Sequence, residues 1–581
     1  MGDASLEREA LDFHSTGRPG KIEIVATKPM ATQRDLALAY SPGVAAPVQA
    51  IAADPDAAYD YTAKGNLVAV ITNGTAILGL GNLGALASKP VMEGKAVLFK
   101  RFADVDSIDL ELATEDVERF ISAVELLEPS FGGINLEDIK APECFIIEQT
   151  LRERMNIPVF HDDQHGTAII AAAGIINAAH LTGRDLKDLK MVVNGAGAAS
   201  VACTELAKSL GVRHVIMCDS KGVIYQGRTE GMNQWKSAHA ADTDARTLAD
   251  AMDGADLFLG LSVAGAVTAE MVASMAPRPI IFALANPTPE ILPEIVKSIR
   301  ADAIIATGRS DYPNQINNVL GFPYIFRGAL DVRATTVNDA MKVASAKAIA
   351  ELARQRVPEE VAAAYGGSVG SFGPEYIIPT PFDPRLIETV PSAVAQAATD
   401  SGVARRPLTD VATYRQALRE RLNPTTAVLA SAQELARSRS TRMIFAEAEE
   451  DTVLRAAIAF HEGGYGTPIL VDQNERVRES LQGLECDPAN LEIHNARILQ
   501  SRVAPSGGQD VPLDQPCAQG QHACHAGGQG EGSGIECDPR PGAQQSAKQE
   551  GEPEGCMQAG LAVVGTVAPS GQRLTKADDL S

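Results

Sequence analysis

The sequence predicts an α/β protein: a small N-terminal α/β domain, a doubly wound Rossmann-like domain, a partial α/β domain and a disordered tail. Three observations carry this reading. From Pro158 to Thr307 short apolar runs alternate with helical patterns, the signature of a parallel sheet buried on both faces. The loop Gly195-Ala196-Gly197-Ala198-Ala199-Ser200 follows one such run and opens a helix. Beyond about Gln500 the composition turns to Gly, Gln, Pro, Cys and His, and apolar periodicity vanishes until 561–567. Such a stretch cannot bury enough apolar surface to offset its ordering entropy.

Taken in order, residues 1 to about 20 are polar with a helical pattern. The next part mixes expected strands at 67–71, 96–99 and 133–136 with helices at 114–127 and 141–154. The most apolar long stretch, 167–181, carries Asn177 and His180 and is too short to span a bilayer, so it reads as a buried helix. Strands are then expected at 190–194, 212–218, 257–261, 279–284 and 303–307, with helices at 198–210 and 337–356. A proline-rich exit, Tyr376 to Pro384, leads to helices and a linker up to about 428. Strands at 441–448 and 468–472, with a helix between, open a further α/β domain that does not finish. The boundaries are therefore 1–157, 158–428, 429–500 and 501–581, the last expected to be disordered and foreign to the reading frame.

The 581 residues carry a formal net charge of -23, which argues against nucleic-acid or anionic-membrane partners. The N-terminus shows no apolar segment of the signal-peptide kind, and eight cysteines in so long a chain make no disulfide framework, so a cytoplasmic location is expected. Cys517, Cys524, Cys537 and Cys556 lie in the tail at spacings that fit no common zinc site.

Two acidic pairs, Glu137-Asp138 and Asp162-Asp163, each close an apolar run. Clustered carboxylates hold on to their protons unless a cation sits among them, so the pairs suggest a hard divalent ion. The plainer reading makes Glu137 and Asp138 caps for the helix after Pro142. His161 and His165 flank the second pair, but a hard-ion site has little use for imidazole. A strand after the glycine loop's helix ends at Asp219, 24 residues after Gly195 and near the position of an acid that binds the adenosine ribose. Its carboxylate favours NAD, whereas Ser220 and Lys221 could hold a 2′-phosphate, and the residues leave both open. A second glycine loop, Gly79-Leu80-Gly81-Asn82-Leu83-Gly84, precedes a helix without a following acid-tipped strand. It reads either as a cofactor or substrate contact or as a structural turn.

Several segments together resemble one family. They are Tyr40-Ser41-Pro42-Gly43-Val44-Ala45, Ile77 to Gly84, the two acidic segments, Ala285-Asn286-Pro287-Thr288-Pro289-Glu290 and Asn317-Asn318-Val319-Leu320-Gly321-Phe322-Pro323. The chain is similar to the malic enzymes, in particular the large bacterial type fused to a phosphotransacetylase-like domain. The resemblance covers about residues 10–425, with the fusion partner represented only from about 430 to 500. It implies oxidative decarboxylation of malate to pyruvate with NADP or NAD and Mg²⁺ or Mn²⁺. It implies Glu137, Asp138 and Asp163 as metal ligands, Lys95 as general base, Tyr40 as acid and Asp162 as the residue orienting Lys95. Asn286 would contact cofactor and Asn318 substrate. One departure is Ala76, where animal members have arginine. The resemblance also implies a homo-oligomer and acetyl-CoA sensing by the C-terminal domain, expected to be lost where that domain is incomplete.

Without the resemblance, Lys95 reads as a solvated helix lysine and Tyr40 as a packing residue at a turn. Acyl transfer by the C-terminal segment and a metal-free Rossmann dehydrogenase are the competing functions. The first lacks most of a domain, and the second leaves the paired acids unexplained.

Overall fold

The computed structural model describes residues 4–77, 80–358, 361, 371–422, 437, 441–483 and 491–495. The chain forms two compact units, Met1–Thr426 and Ala427–Ser581.

The first unit contains two parallel sheets. In the first, β1 (Leu67–Thr72), β2 (Asp106–Glu111), β3 (Gly133–Leu136) and β4 (Val159–His161) run in the order β2-β1-β3-β4. Val68 to Ile71 are fully buried, as a central strand covered on both faces requires. The helices Ala85–Ala103, Val117–Glu125 and Glu143–Arg154 make the crossovers. Two expectations are corrected here. Residues 96–99 are not a strand but part of the Ala85–Ala103 helix. Met92, Lys95, Ala96, Phe99, Phe102 and Ala103 form one buried helical stripe, and the four-residue apolar run within it carries no period of its own. The strand β2 was not expected, because only Asp109 within it is well buried and its other positions are polar or partly exposed. In addition, β4 pairs with β3 although it follows the expected boundary at 157. The first sheet therefore closes only at the start of the next helix.

That helix, Asp162–Thr182, leads into the second sheet. Its strands are β5 (Lys190–Asn194), β6 (His214–Asp219), β7 (Gly222–Val223), β8 (Leu257–Gly260), β9 (Ile280–Ala283) and β10 (Ile304–Thr307). The order is β10-β9-β8-β5-β6-β7, with only β7 antiparallel. The 162–182 helix presents Ala171, Ala172, Ala173, Gly174 and Ala178, small residues that admit close helix and sheet contact. A Cβ on Gly174 would lie 3.0 Å from the Phe282 ring. The helices Asp339–Arg354 and Leu386–Asp400 pack onto the same core. Among the described residues no helix is long and apolar enough to cross a membrane.

In the second unit, β11 (Thr441–Ala446), β12 (Gly466–Asp472) and β13 (Glu492–Asn495) form a parallel sheet in chain order. Leu454, Ala457, Leu470, Val477, Leu481 and Leu491 form its core. The expected disorder of 501–581, and the four cysteines there, lie outside the described residues.

Candidate active site

All four strands of the first sheet point the same way, so the segments that follow them meet along one edge. Leu136 pairs with His161, which brings Glu137-Asp138 and Asp162-Asp163 side by side. The Asp138 N–H donates to Asp163 Oδ2 at 2.8 Å, and Asp138 itself takes a left-handed φ of 53°, which Asp tolerates better than most residues. The cap reading of this pair fails: Pro142 is the N-cap of the Glu143–Arg154 helix, which has no side-chain cap bond.

Lys95 enters from the buried stripe of the Ala85–Ala103 helix. Its Nζ lies 2.7 Å from Asp162 Oδ2 and 2.9 Å from Glu137 Oε1, and 4.4 Å above the Phe322 ring. Asn135 Nδ2 donates to the other Glu137 oxygen at 2.9 Å, and Asn318 Nδ2 to Asp162 Oδ2 at 2.5 Å. The solvated-lysine reading is thus excluded: Lys95 is 7% exposed, Glu137 and Asp138 4%, and Asp162 0%.

The charges do not balance, with four acids around one ammonium. Each contact at about 2.8 Å is worth roughly 6 kcal/mol at an effective dielectric of 20, while each buried ion costs several kcal/mol of hydration. Lys95 pairs with two of the acids but carries a single positive charge, which leaves the others in excess. Burial accordingly pushes Asp162 up to about 7, the Lys95 charge only partly opposing it. Burial likewise raises Glu137 and Asp163, each further raised by a neighbouring carboxylate. For Lys95, burial works against the charged form, but Asp162 and Glu137 outweigh it and hold the ammonium well above its ordinary range. Among the described residues no three side chains stand in ready ligand geometry for a metal ion. The donor set is nevertheless all oxygen and over-acidic, which suits a hard divalent cation.

Neither histidine serves as the missing counter-charge. Burial lowers His161 to about 4, and its ring nitrogens have no hydrogen-bond partner. His165 Nε2 lies 2.9 Å from Glu148 Oε2, and Glu148 also accepts the His161 N–H at 3.2 Å. Glu148 escaped the sequence reading. The available signal was an acid among Cys144, Ile147 and Leu151 on the buried face of the Glu143–Arg154 helix.

The second sheet carries the other half of the site. Gly195, at φ 124°, sits where a Cβ would fall 2.4 Å from the Leu261 carbonyl. Gly197 caps the Ala198–Ser209 helix without a side-chain bond, which leaves the N–H groups of its first turn, including those of Ala198 and Ala199, for an anion. Asp219, at the end of β6, is gripped by Arg228 Nη2 at 2.7 and 2.8 Å and by Lys236 Nζ at 2.7 Å. Burial would raise Asp219, but Lys236 and Arg228 bring it below the usual range. Both cations were missed in the sequence, because nothing local marks them as partners of an acid earlier in the chain.

The remaining expected residues are scattered. Tyr40 ends the Gln33–Ala39 helix and is 70% exposed, and among the described residues no hydrogen bond or ion pair joins it to Lys95. Asn286 is exposed just after β9. In the second glycine loop, Gly79 lies outside the described residues, while Gly81 and Gly84 take φ of 84° and 83°. Gly84 N–H donates to the Gly74 carbonyl at 3.1 Å, so this segment is at least a tight structural crossing.

Comparison with known proteins gives this geometry a context. Residues 19–152 match the family profile "Malic enzyme, N-terminal domain" and residues 164–364 "Malic enzyme, NAD binding domain". The NADP-dependent malic enzyme of Halomonas elongata is 61% identical over 70% of this chain and 96% of its own length. The chain belongs to the malic enzyme family. The crystal structure of malic enzyme from Pyrococcus horikoshii Ot3 overlays with a TM-score of 0.67, at 40% identity, over 74% of this chain and 98% of that one. Residues 427–503 match "Phosphate acetyl/butaryl transferase". The NADP-dependent malic enzyme of Rhizobium meliloti is 66% identical over 84% of this chain, which spans 65% of that relative's length.

Proposed function

We propose that the first unit oxidatively decarboxylates (S)-malate to pyruvate and carbon dioxide, with NADP as hydride acceptor and Mg²⁺ or Mn²⁺ as the cation. The observation that carries this reading is the buried, over-acidic edge of the first sheet built around Lys95. Glu137, Asp138 and Asp163 would hold the cation, which supplies Lewis-acid polarisation of an oxygen at C2. Lys95 takes the C2 hydroxyl proton in its neutral form. Because Glu137 and Asp162 favour the ammonium, that form arises only when one of these anions is engaged elsewhere. Asp162, sharing one oxygen with Asn318, keeps Nζ aimed.

Tyr40 protonates C3 in this scheme. Its exposure, with that of Leu36, Leu38, Val44 and Val48 around it, fits a homo-oligomer in which a second copy covers the N-terminal stretch. The cofactor preference follows from charge. Asp219 alone favours NAD, but Arg228 and Lys236 reverse the local sign, and two cations suit a 2′-phosphate.

The test is malate-dependent reduction of NADP and of NAD with Mn²⁺, then after EDTA, with pyruvate measured directly. Reduction without pyruvate would end the decarboxylation reading, and full activity after metal removal would remove the cation. Lys236→Ala should raise the NADP Michaelis constant about tenfold, the cost of one charge-assisted hydrogen bond, and leave that for NAD within about twofold. An equal change for both nucleotides would assign Lys236 to folding alone.

A further inference from the structure

Glu290 closes the segment Ala285-Asn286-Pro287-Thr288-Pro289-Glu290, and nothing above uses it. It is 0% exposed, and among the described residues no lysine, arginine or histidine forms an ion pair with it. Its acceptors are met by donors from two loops instead. Oε1 accepts the Ser262 N–H at 2.8 Å and the Ser262 hydroxyl at 3.2 Å, and Oε2 accepts the Ala285 N–H at 3.1 Å. Asn194 Nδ2 donates to the same Ser262 Oγ at 2.8 Å. The carboxylate also fills the space beside Gly260, where a Cβ would lie 2.5 Å from its carbon. Burying a carboxylate without a cation is expensive, so the arrangement calls for a return beyond packing.

The placement of these donors supplies one. Asn194 ends β5, and Ser262 and Ala285 follow β8 and β9, three neighbouring strands whose carboxyl ends frame the nucleotide crevice. The glycine loop follows β5, and Asp219 with its two cations lies on the β6 side of it, which is therefore the adenosine side. The β8 and β9 loops lie on the opposite, nicotinamide side. Leu261, directly before Ser262, is the residue whose carbonyl meets Gly195. Asn286 directly follows the held Ala285.

We propose that Glu290 is a positioning residue for the nicotinamide half of the nucleotide: it ties the β8 and β9 loops together and so sets the floor on which that half rests. This rests on the nucleotide-binding reading of the second sheet and is independent of malate chemistry.

Calorimetric titration of the full chain with NADP⁺ and with 2′,5′-ADP, which lacks the nicotinamide half, tests it. For Glu290→Gln the NADP⁺ dissociation constant should rise about tenfold, because an amide N–H₂ would face donors where the carboxylate accepted them. The constant for 2′,5′-ADP should stay within about twofold. Equal weakening of both ligands, or no change in either, would overturn the proposal. Should Glu290→Gln fail to fold, Glu290→Asp, which keeps the charge and retracts it by one carbon, must show the same split, and its absence there overturns the proposal as well. Failure of the unaltered chain to bind either ligand would instead strike the nucleotide reading itself.

Discussion

At the carboxyl edge of the first sheet, four acids lie together and two of them, Glu137 and Asp162, hold one lysine. At the carboxyl edge of the second, one acid is gripped by two cations beside a glycine loop. Both edges arise from the same device, parallel strands feeding loops toward one side. What differs is the sign of the uncompensated charge. The first edge keeps negative charge that its own lysine does not cover, and the second turns its acid into an anchor for basic side chains. One topology, used twice in one unit, thereby gives an edge rich in acids and an edge where basic side chains gather on an acid. The contrast also explains why Asp219 and Asp162, two aspartates at strand ends, are driven in opposite directions.

The strongest way to break the contrast is to remove the lysine. Lys95→Met keeps the stem and leaves Glu137 and Asp162 buried without a counter-charge. Stability should fall by about 3–5 kcal/mol, the range for breaking one side of a buried pair, and denaturant unfolding measures it. Turnover of malate should fall by about 10²–10⁴, as for loss of a proton-transfer group. If turnover survives while stability drops, Lys95 is electrostatic packing only.

Much of this was legible in the sequence for a definite reason. The paired acids and the Gly195 loop each lie within a few consecutive residues next to an apolar run, so local pattern sufficed. Five of the second sheet's six strands were found because each is a mainly apolar run; β7, two residues at the antiparallel edge, offers no such run and was missed. The assignment of Lys95 and Asp162 to roles came from family resemblance. What escaped was whatever depends on distant partners: Glu148 under His165, Arg228 and Lys236 on Asp219, and Glu290 across two loops. The misreading at 96–99 has a different cause: four consecutive apolar residues carry no periodicity, and the helical stripe shows only over the whole of Ala85–Ala103.

The next test uses pH to separate the two edges. Asp162 has a folded value of about 7 against an ordinary 3.8, so the folded chain binds this proton more tightly than the unfolded one. Its contribution to stability is present at low pH and is lost as pH rises through about 7. Asp219 is lowered, so its contribution is present above the ordinary carboxylate range and is lost as pH falls through it. The Asp162 contribution amounts to about 4 kcal/mol. In chelator-treated protein the melting temperature should therefore drop by several degrees between pH 5.5 and 7.5, and Mn²⁺ should suppress that drop. A melting temperature that rises with pH over this window, or a drop that Mn²⁺ leaves unchanged, would show that the acid excess is not where cations act.

The smallest expected effect concerns the seam between the two edges. Trp235, the only tryptophan in the chain, stacks on Phe145 with ring centroids 4.8 Å apart and planes at 27°. Trp235 precedes Lys236, which holds Asp219, and Phe145 lies three residues before Glu148, which holds His161 and His165 beneath the acidic edge. The stack thus ties the helix that carries Glu148 to the segment that carries Lys236. An aromatic pair of this kind is worth about 0.5–1.5 kcal/mol beyond its burial. A double-mutant cycle of Phe145→Leu and Trp235→Leu should return a coupling of that size in stability. If the stack also transmits, Phe145→Leu, which touches no nucleotide-side charge, should weaken NADP binding by a factor of a few. If the coupling appears in stability but NADP binding is unchanged, the two edges are joined mechanically and work independently.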